Sequence, residues 1–239
     1  MDQLARSRSD RAADRPEIPP WPCVADFALP GLELPAANRP SHPAQRTGYP
    51  TLEESALAED KKKARQQRRT IVFVDESGLS ERPHRVRTWA PRGQTPVLQY
   101  TFNWKSLSAI AGITVWNFYF QLFPGSIKAP QVIAFLRHLR RHIRGKLTII
   151  WDGLPVHRSR LVRDFVAQQK GRIQLECLPA YAPELNPVEY IWSYCKQHEL
   201  PNFCPKDFGQ LSWAARNALR KMRRRPPLVA SFWQQAELF

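Results

Sequence analysis

Three acidic residues occupy positions where their carboxylates could act on one reactant. Asp75 ends an apolar, β-branched stretch, RTIVFVD, and Asp152 directly follows another, LTIIW. Glu189 falls in the first turn of a helix that we predict to begin at Pro187. Because the carboxyl ends of neighbouring parallel strands meet at one edge of a sheet, we expect both aspartates at that edge, with Glu189 leaning over it.

Three carboxylates that converge in a partly buried site predict a bound cation, because they cannot all remain ionised without one. Oxygen-only ligation suits Mg²⁺ or Mn²⁺. Two such ions about 3.5–4 Å apart would hold the attacking and the leaving oxygen of an in-line phosphoryl displacement. The residue types therefore indicate metal-dependent chemistry on phosphodiesters, with Asp75, Asp152 and Glu189 as catalytic residues and metal ligands.

Each of these residues also has a structural interpretation. An aspartate at a strand end often accepts hydrogen bonds from the amides of the next turn, as Asp75 could at Ser77-Gly78 and Asp152 could in its own loop. Asn186 has the position of a helix N-cap, and Glu189 then has the third helical position. That arrangement is a capping box, which requires no catalysis.

Three neighbouring side chains are candidates for supporting the carboxylates. Glu76 should face away from Asp75, because successive side chains of a strand point to opposite faces. His157 follows Asp152 by five residues and could orient a carboxylate or contact a phosphate, with a structural hydrogen bond as the alternative. Asn186 precedes the helix that carries the glutamate.

The stretches that position these residues alternate between strands and helices. Runs of β-branched and apolar residues predict strands, and apolar residues at a spacing of three and four predict helices. The strands are expected within 69–75, 97–104, 110–116, 118–123, 147–151 and 173–178. The helices are expected at 130–143, around 161–166, at 187–198 and around 211–222. This order suggests an α/β protein with a mixed sheet and helices on its faces.

Composition divides the chain into three parts. Residues 1–50 hold nine of the 22 prolines, contain no lysine and show no lasting apolar periodicity. We interpret 1–55 as a disordered or degenerate segment, 56–205 as a catalytic domain and 206–239 as a basic helical extension. The segment 1–50 is neutral, so the net charge of +15 belongs to the remainder of the chain.

A surplus of this size favours a polyanionic partner, because cations that neutralise phosphates release counterions. The run KKKARQQRR at 61–69 is either a phosphate contact or a solvated helix end. The candidate DNA contacts are Lys61, Lys62, Lys63, Arg85, Arg87, Trp89, Lys105, Arg158, Arg160 and Lys196. No apolar run is long enough to span a bilayer, and the four cysteines lack the close spacing of a zinc site.

Four sequence words occur in the order in which one family carries them. They are IVFVDESGLSERP, RTWAPRGQTPVL, LTIIWDGLPVHRSRLV and LPAYAPELNPVEYIWSYCKQHEL. From about residue 60 to its C-terminus the chain resembles the DDE transposases of bacterial insertion sequences, most closely the insertion-sequence six-thirty family, a relative of mariner elements. The family's catalytic residues fall on Asp75, Asp152 and Glu189, and its usual asparagine after the second aspartate is Gly153 here.

The resemblance implies an RNase H-like mixed five-stranded sheet flanked by helices. It also implies two Mg²⁺ or Mn²⁺ ions, hydrolysis at the ends of a mobile element, and strand transfer by the released 3′-hydroxyl. The expected partners are double-stranded DNA of the element ends and target, often at a TA dinucleotide, and a second copy of the chain in a homodimer on paired ends. The expected location is the nucleoid in the cytoplasm.

Family members usually carry helix-turn-helix modules ahead of the catalytic domain, and residues 1–50 lack the periodicity of such a module. We therefore expect a separate helix-turn-helix polypeptide or a truncated copy, and DNA binding without selection of element ends. An inactive, truncated DNA-binding remnant of a mobile element is the alternative function. A plain RNase H-type hydrolase of RNA–DNA hybrids is a third hypothesis, because fold does not fix function.

Overall fold

A mixed five-stranded sheet forms the centre of the computed structural model, which describes residues 52–100, 105–178 and 183–236. The strands are β1 (Arg69–Ser80), β2 (Ser106–Ile113), β3 (Phe118–Pro124), β4 (Lys146–Trp151) and β5 (Ile173–Cys177). Their order is β3-β2-β1-β4-β5. The pairs β1–β2 and β2–β3 are antiparallel, whereas β1–β4 and β4–β5 are parallel. The predicted mixed sheet is confirmed.

Helices cover both faces of this sheet. They are α1 (Leu52–Gln66), α2 (Ala129–His142), α3 (Arg160–Gln168), α4 (Pro187–Tyr194), α5 (Phe208–Arg223) and α6 (Pro226–Gln235). A 3₁₀ turn at Pro183–Leu185 precedes α4, and a π-helical turn at Cys195–Glu199 follows it. The helix expected at 187–198 is therefore one α-helix continued by a π turn.

Alternation along β1 sends its side chains into two separate cores. Val72 and Val74 pack with α2 and α3 on one face. Phe73 packs with α4, α5 and α6 on the other face. Because period-2 alternation continues along a strand, Asp75 belongs to the face that carries α4, and its neighbour Glu76 to the face that carries α2 and α3.

The last two helices belong to the same core as the sheet. The ring of Trp233 in α6 meets the fully buried ring of Phe73 edge-on, with 5.4 Å between centroids. Its indole N–H donates to the carbonyl of Thr114 over 2.8 Å. The boundary predicted at residue 206 lies directly before α5 and α6. The apolar faces of these two helices are buried against the sheet of the preceding segment. Of the segment 1–55 predicted as disordered or degenerate, residues 1–51 lie outside the described residues, and residues 52–55 begin α1.

Two expectations for individual strands were wrong. Ser77-Gly78 is not a turn, because β1 runs on to Ser80 and pairs with β2 through both residues. Of the strand expected at 97–104, residues 97–100 form none, since the side chain of Val97 is 82% exposed and has no core to join, and residues 101–104 lie outside the described residues. Within the described ranges no helix is long and apolar enough to cross a membrane.

Candidate active site

The parallel ladder between β1 and β4 brings the two aspartates to matching positions. The ladder pairs Arg69 with Lys146 and ends with Phe73 opposite Ile150. Two residues further along each strand, the same register gives Asp75 and Asp152. At this point β4 ends, whereas β1 continues beside β2. We call Asp75, Asp152 and Glu189 the carboxylate edge.

Asp75 is a buried carboxylate, with 7% of the residue exposed. Its Oδ2 accepts a hydrogen bond of 2.8 Å from the indole N–H of Trp192. Burial and the nearby charge of Glu189 raise the pKa of Asp75 to about 7, although the Trp192 bond opposes that rise. A bound cation would favour the ionised form of this carboxylate.

Glu189 and Trp192 come from the same helix, α4, at a spacing of three that places both on one side. Glu189 is exposed, and its charge acts on Asp75. Asn186 caps the helix as predicted, since its Oδ1 accepts from the N–H of Val188 over 3.2 Å. The reciprocal side-chain bond from Glu189 is not among the described contacts of this cap. Helix capping therefore does not account for the glutamate side chain.

Asp152 has quite different surroundings, because its carboxylate is bonded within its own loop. Oδ1 lies 2.9 Å from Nδ1 of His157 and accepts from the N–H of Leu154 over 3.1 Å. Burial raises the pKa of Asp152, but the bonds from His157 and Leu154 outweigh it and hold the pKa below its usual value. This carboxylate thus stays ionised beside a cation supplied by the protein.

His157 joins Asp152 to Glu76. Its side chain is fully buried, and Nε2 lies 2.9 Å from Oε1 of Glu76. Its ring stacks on Trp151 at 4.2 Å with an angle of 5°. Burial lowers the pKa of His157, but the bonds to Asp152 and Glu76 overcome that effect and raise it to about 10. The ring is therefore an imidazolium that donates from both nitrogens.

Glu76 lies on the face predicted by strand alternation, opposite to Asp75. Its second oxygen, Oε2, is buried and has no hydrogen-bond partner among the described residues. An unsatisfied buried oxygen of this kind is costly, and the contact with His157 offsets that cost only in part. Glu76 lies on the opposite face of β1 from Asp75 and contacts the carboxylate edge only indirectly, through the bonds of His157 to Glu76 and Asp152.

The donor set fits a hard divalent cation, since all three predicted ligands offer carboxylate oxygens and Asp75 is buried beside Glu189. However, among the described residues no three His, Cys, Asp or Glu side chains stand in a ligating arrangement. Asp75 and Glu189 are electrostatically coupled, whereas Asp152 is turned to His157. Convergence of all three carboxylates on metal stays a prediction.

The candidate DNA contacts divide between the two ends of the sheet. Near the carboxylate edge, Lys196 Nζ donates to Ser77 Oγ over 2.8 Å, and Arg158 donates to the carbonyl of Gly153 over 2.7 Å. Arg160 pairs with Asp164 at 3.6 Å on the surface. The exposed candidates in the β1–β2 connection are Arg85, Arg87, Trp89 and Lys105.

Two lysines of α1 lie at the opposite end of the sheet. Lys61 and Lys62 line a cleft beside Arg69, the first residue of β1, and are thus remote from the carboxylates. Lys63 instead lies 4.0 Å from Glu176, which pairs with Ile150 close to the end of β4 that Asp152 follows.

Trp192 is the functional residue that sequence reasoning missed, because a tryptophan among apolar residues of a helix is ordinarily a core residue. It is indeed 3% exposed, yet its one polar atom bonds Asp75. The signal was the spacing: Trp192 follows Glu189 by three residues, so both reach the same side of one helix.

Residues 70–212 match the sequence model of a family described as DDE superfamily endonuclease. No curated protein sequence is significantly similar to the chain. Several solved structures have a similar fold. The transposase in the Mos1 strand transfer complex is 21% identical with a TM-score of 0.55, and the match covers 77% of this chain and 55% of that chain.

The catalytic domain of Mos1 mariner transposase is 19% identical with a TM-score of 0.51, and the match covers 77% of this chain and 83% of that domain. At such identities the likeness establishes the fold, which is the expected RNase H-like fold. The chain spans about half the length of the transposase in the strand transfer complex.

Proposed function

This chain belongs to the DDE superfamily of endonucleases, and from that premise we propose that it is the catalytic part of a DNA transposase. It hydrolyses phosphodiester bonds at the ends of a mobile element and transfers the released strand. Its element is a bacterial insertion sequence related to the mariner group. The observation that carries this proposal is the buried Asp75, which is coupled to the charge of Glu189 and lies on the strand beside β4, directly after which Asp152 follows.

Each aspartate has one oxygen fixed by the protein. Trp192 holds Oδ2 of Asp75, while His157 and Leu154 hold Oδ1 of Asp152. We assign the other oxygen of each carboxylate, together with Glu189, to two Mg²⁺ or Mn²⁺ ions. When bound, such ions activate the attacking oxygen and stabilise the leaving one.

His157 is a positioning residue in this proposal, and Glu76 supports it. The imidazolium fixes the rotamer of Asp152 through its Nδ1–H, and Glu76 fixes the imidazole through Nε2. A histidine that is bonded at both nitrogens and stacked on Trp151 has no freedom to turn. Asn186 positions Glu189 indirectly. Its side chain caps α4 and so fixes the first turn of this helix, from which Glu189 projects.

The partners that fit this function are double-stranded DNA and a second copy of the chain. Lys196 and Arg158 place positive charge on the segments that carry Asp75 and Asp152, where a DNA backbone would approach. The structures similar to this chain include complexes named as paired-end and strand transfer complexes of Mos1. That likeness supports paired element ends as the substrate. We further propose that a homodimer holds them and that a separate helix-turn-helix module recognises the ends.

Nicking of element-end DNA with Mg²⁺ tests the proposal. Asp152→Ala should reduce the nicking rate on the order of 10³-fold, because metal stabilisation of the reacting oxygens is worth several kcal/mol. Asp164→Ala is the matched control, since it removes an exposed aspartate from α3 that pairs only with the surface residue Arg160 in the described contacts. It should nick as the wild type does.

Two outcomes would contradict the proposal. Equal nicking by wild type and Asp152→Ala would remove these carboxylates from the chemistry. Wild-type protein that binds DNA but never nicks it would favour the inactive remnant. A preference for RNA–DNA hybrid over duplex DNA would instead assign a hydrolase of the RNase H type.

A further inference from the structure

A second charged region lies at the end of the sheet opposite to the carboxylate edge. There, a cleft of about 910 Å³ opens between α1, the turn that joins β2 to β3, and the end of α2. Arg69 begins β1 at this cleft, whereas Asp75 lies six residues further along the same strand. At about 3.3 Å per residue, the two regions are roughly 20 Å apart along the strand.

Five cationic side chains line this cleft, which we call the α1 cleft. They are Lys61, Lys62, Arg65, Arg69 and Arg144. No acidic side chain is among the described residues that line it. Burial lowers the pKa of Lys61, so an anion beside this ammonium would be stabilising. The cleft therefore has the charge of a site for a polyanion.

Trp116 projects from the rim of the cleft and is 86% exposed. The turn that carries it is tightly bonded, since the N–H and the hydroxyl of Thr114 both donate to the carbonyl of Asn117, over 2.8 and 2.9 Å. Val115 beside it is also exposed. A large indole held out beside five cations is a combination typical of nucleic-acid surfaces.

We propose that the α1 cleft binds the backbone of a second DNA segment, distinct from the segment at the carboxylate edge. This inference goes beyond the proposed function, which needs DNA only where the carboxylates lie. Duplex DNA is stiff over about 150 bp, so one short duplex seated at the carboxylate edge does not bend around to the opposite end of β1. The two regions therefore hold two DNA segments, or distant parts of one molecule.

The occupant is double-stranded rather than single-stranded. Sites for single strands present several aromatic platforms for successive bases, whereas the described lining of this cleft presents one exposed tryptophan among five cations. Cations without a row of platforms contact phosphates and read no bases. The α1 cleft therefore binds duplex DNA without sequence preference, and Trp116 contacts the backbone or a groove edge.

The test compares two triple variants that lose the same charge. The cleft variant is Lys62→Gln, Arg65→Gln and Arg144→Gln, all at exposed positions of the cleft. Arg69 is kept, because it donates to the carbonyls of Leu147 and Gly171 and so stabilises the fold. The control variant is Arg163→Gln, Arg216→Gln and Arg220→Gln, exposed cations on α3 and α5.

Binding of a short blunt duplex is measured by fluorescence anisotropy over a series of NaCl concentrations, in EDTA so that no cleavage occurs. The slope of log K against log salt should decrease by roughly 0.9 for each phosphate that the cleft variant no longer neutralises. The control variant should keep the wild-type slope. Trp116→Ala should weaken binding by a few fold while leaving the slope unchanged, because the indole contacts the backbone or a groove edge and neutralises no phosphate.

A bridging assay tests the second segment directly. Bead-bound duplex should retain a fluorescent second duplex through the wild-type and control proteins, and release it with the cleft variant. Nicking at saturating enzyme should be equal for all three proteins, because the cleft variant keeps the carboxylate edge. If the wild-type protein does not nick DNA, the proposed function is wrong. The salt slopes and the bridging assay still test DNA binding by the α1 cleft, because neither measurement depends on nicking.

Three results would overturn the inference. Equal slopes and equal bridging for the cleft and control variants would show that only net charge matters. Tighter binding of single strands than of duplex, abolished in the cleft variant, would contradict the duplex assignment. Selective loss of binding to vesicles of anionic lipid, with DNA binding unchanged, would assign the cleft to a membrane surface. Far-ultraviolet circular dichroism verifies that both triple variants are folded.

Discussion

Asp75 lies in β1 and Asp152 directly follows the adjacent strand β4, yet the electrostatic surroundings of the two carboxylates are opposite. Asp75 is buried beside another carboxylate, and its pKa is raised to about 7. Asp152 is bonded to an imidazolium, and its pKa is lowered. Among the described residues no cation bonds Asp75, whereas the imidazolium of His157 bonds Asp152. The same edge of the sheet therefore combines Asp75, a carboxylate that a bound cation would stabilise, with Asp152, a carboxylate that the protein already holds in one orientation.

The largest effect that we expect on this comparison is in stability. Asp75→Asn keeps an acceptor for Trp192 but cannot ionise. In the wild type, the folded pKa of about 7 exceeds the unfolded value of 3.8, so stability decreases as pH rises from about 4 to 7 and the loss is complete above 7. In EDTA the variant should therefore be more stable at pH 8 by about 2–4 kcal/mol, and equal to wild type below pH 4.

Thermal and urea unfolding at pH 4, 6 and 8 measure this difference. The raised pKa of His157 affects both proteins alike and cancels in the comparison. Adding Mg²⁺ should stabilise only the wild type and so narrow the gap at pH 8. If the stability difference between Asp75→Asn and the wild type is no larger at pH 8 than at pH 4, the pKa of Asp75 is not raised in the folded protein.

A smaller effect should follow from removing the cation beside Asp152. His157→Gln should raise the Mg²⁺ concentration that gives half-maximal nicking by about 10- to 100-fold. A loss of metal affinity of this size is the usual consequence of removing a residue that orients a metal ligand. At saturating Mg²⁺ the rate should largely recover, because the carboxylates remain. His198→Gln, an exposed histidine in the π turn, is the control. An unchanged Mg²⁺ midpoint in His157→Gln would leave this histidine a purely structural role.

The smallest effect is the change with pH in the strength of the hydrogen bond between Trp192 and Asp75. A double-mutant cycle of Trp192→Phe and Asp75→Ala isolates the hydrogen bond of 2.8 Å between these residues, because neither phenylalanine nor alanine can form it. We expect a coupling of about 1.5–3 kcal/mol at pH 8, where Asp75 is charged, and about 0.5–1.5 kcal/mol at pH 5, where it is neutral. Urea unfolding of the four proteins measures it. A coupling that is independent of pH would contradict ionisation of Asp75 in the folded protein.

The β-branched runs 69–75 and 147–151 were sufficient to predict two central strands, because short apolar stretches of this kind are stable only when buried. Alternation was sufficient to place Glu76 behind the strand, and the Asn-Pro pair was sufficient to predict the start of α4. The length of β1 was not predictable in the same way. Residues 76–80 are polar and small, and they are extended because β2, far along the chain, continues the ladder beside them.

The sequence by itself determined which residues are able to do chemistry: three acidic side chains at the ends of buried elements, in a strongly basic chain. Local propensity and side-chain type are properties of short segments, so they can be deduced from order alone. Only the tertiary structure decided that Trp192 bonds Asp75, that His157 lies between Asp152 and Glu76, and that Lys61 lies at the opposite end of the sheet from the carboxylates. These contacts join residues that are distant in sequence, and the packing of helices on the sheet fixes which of them meet.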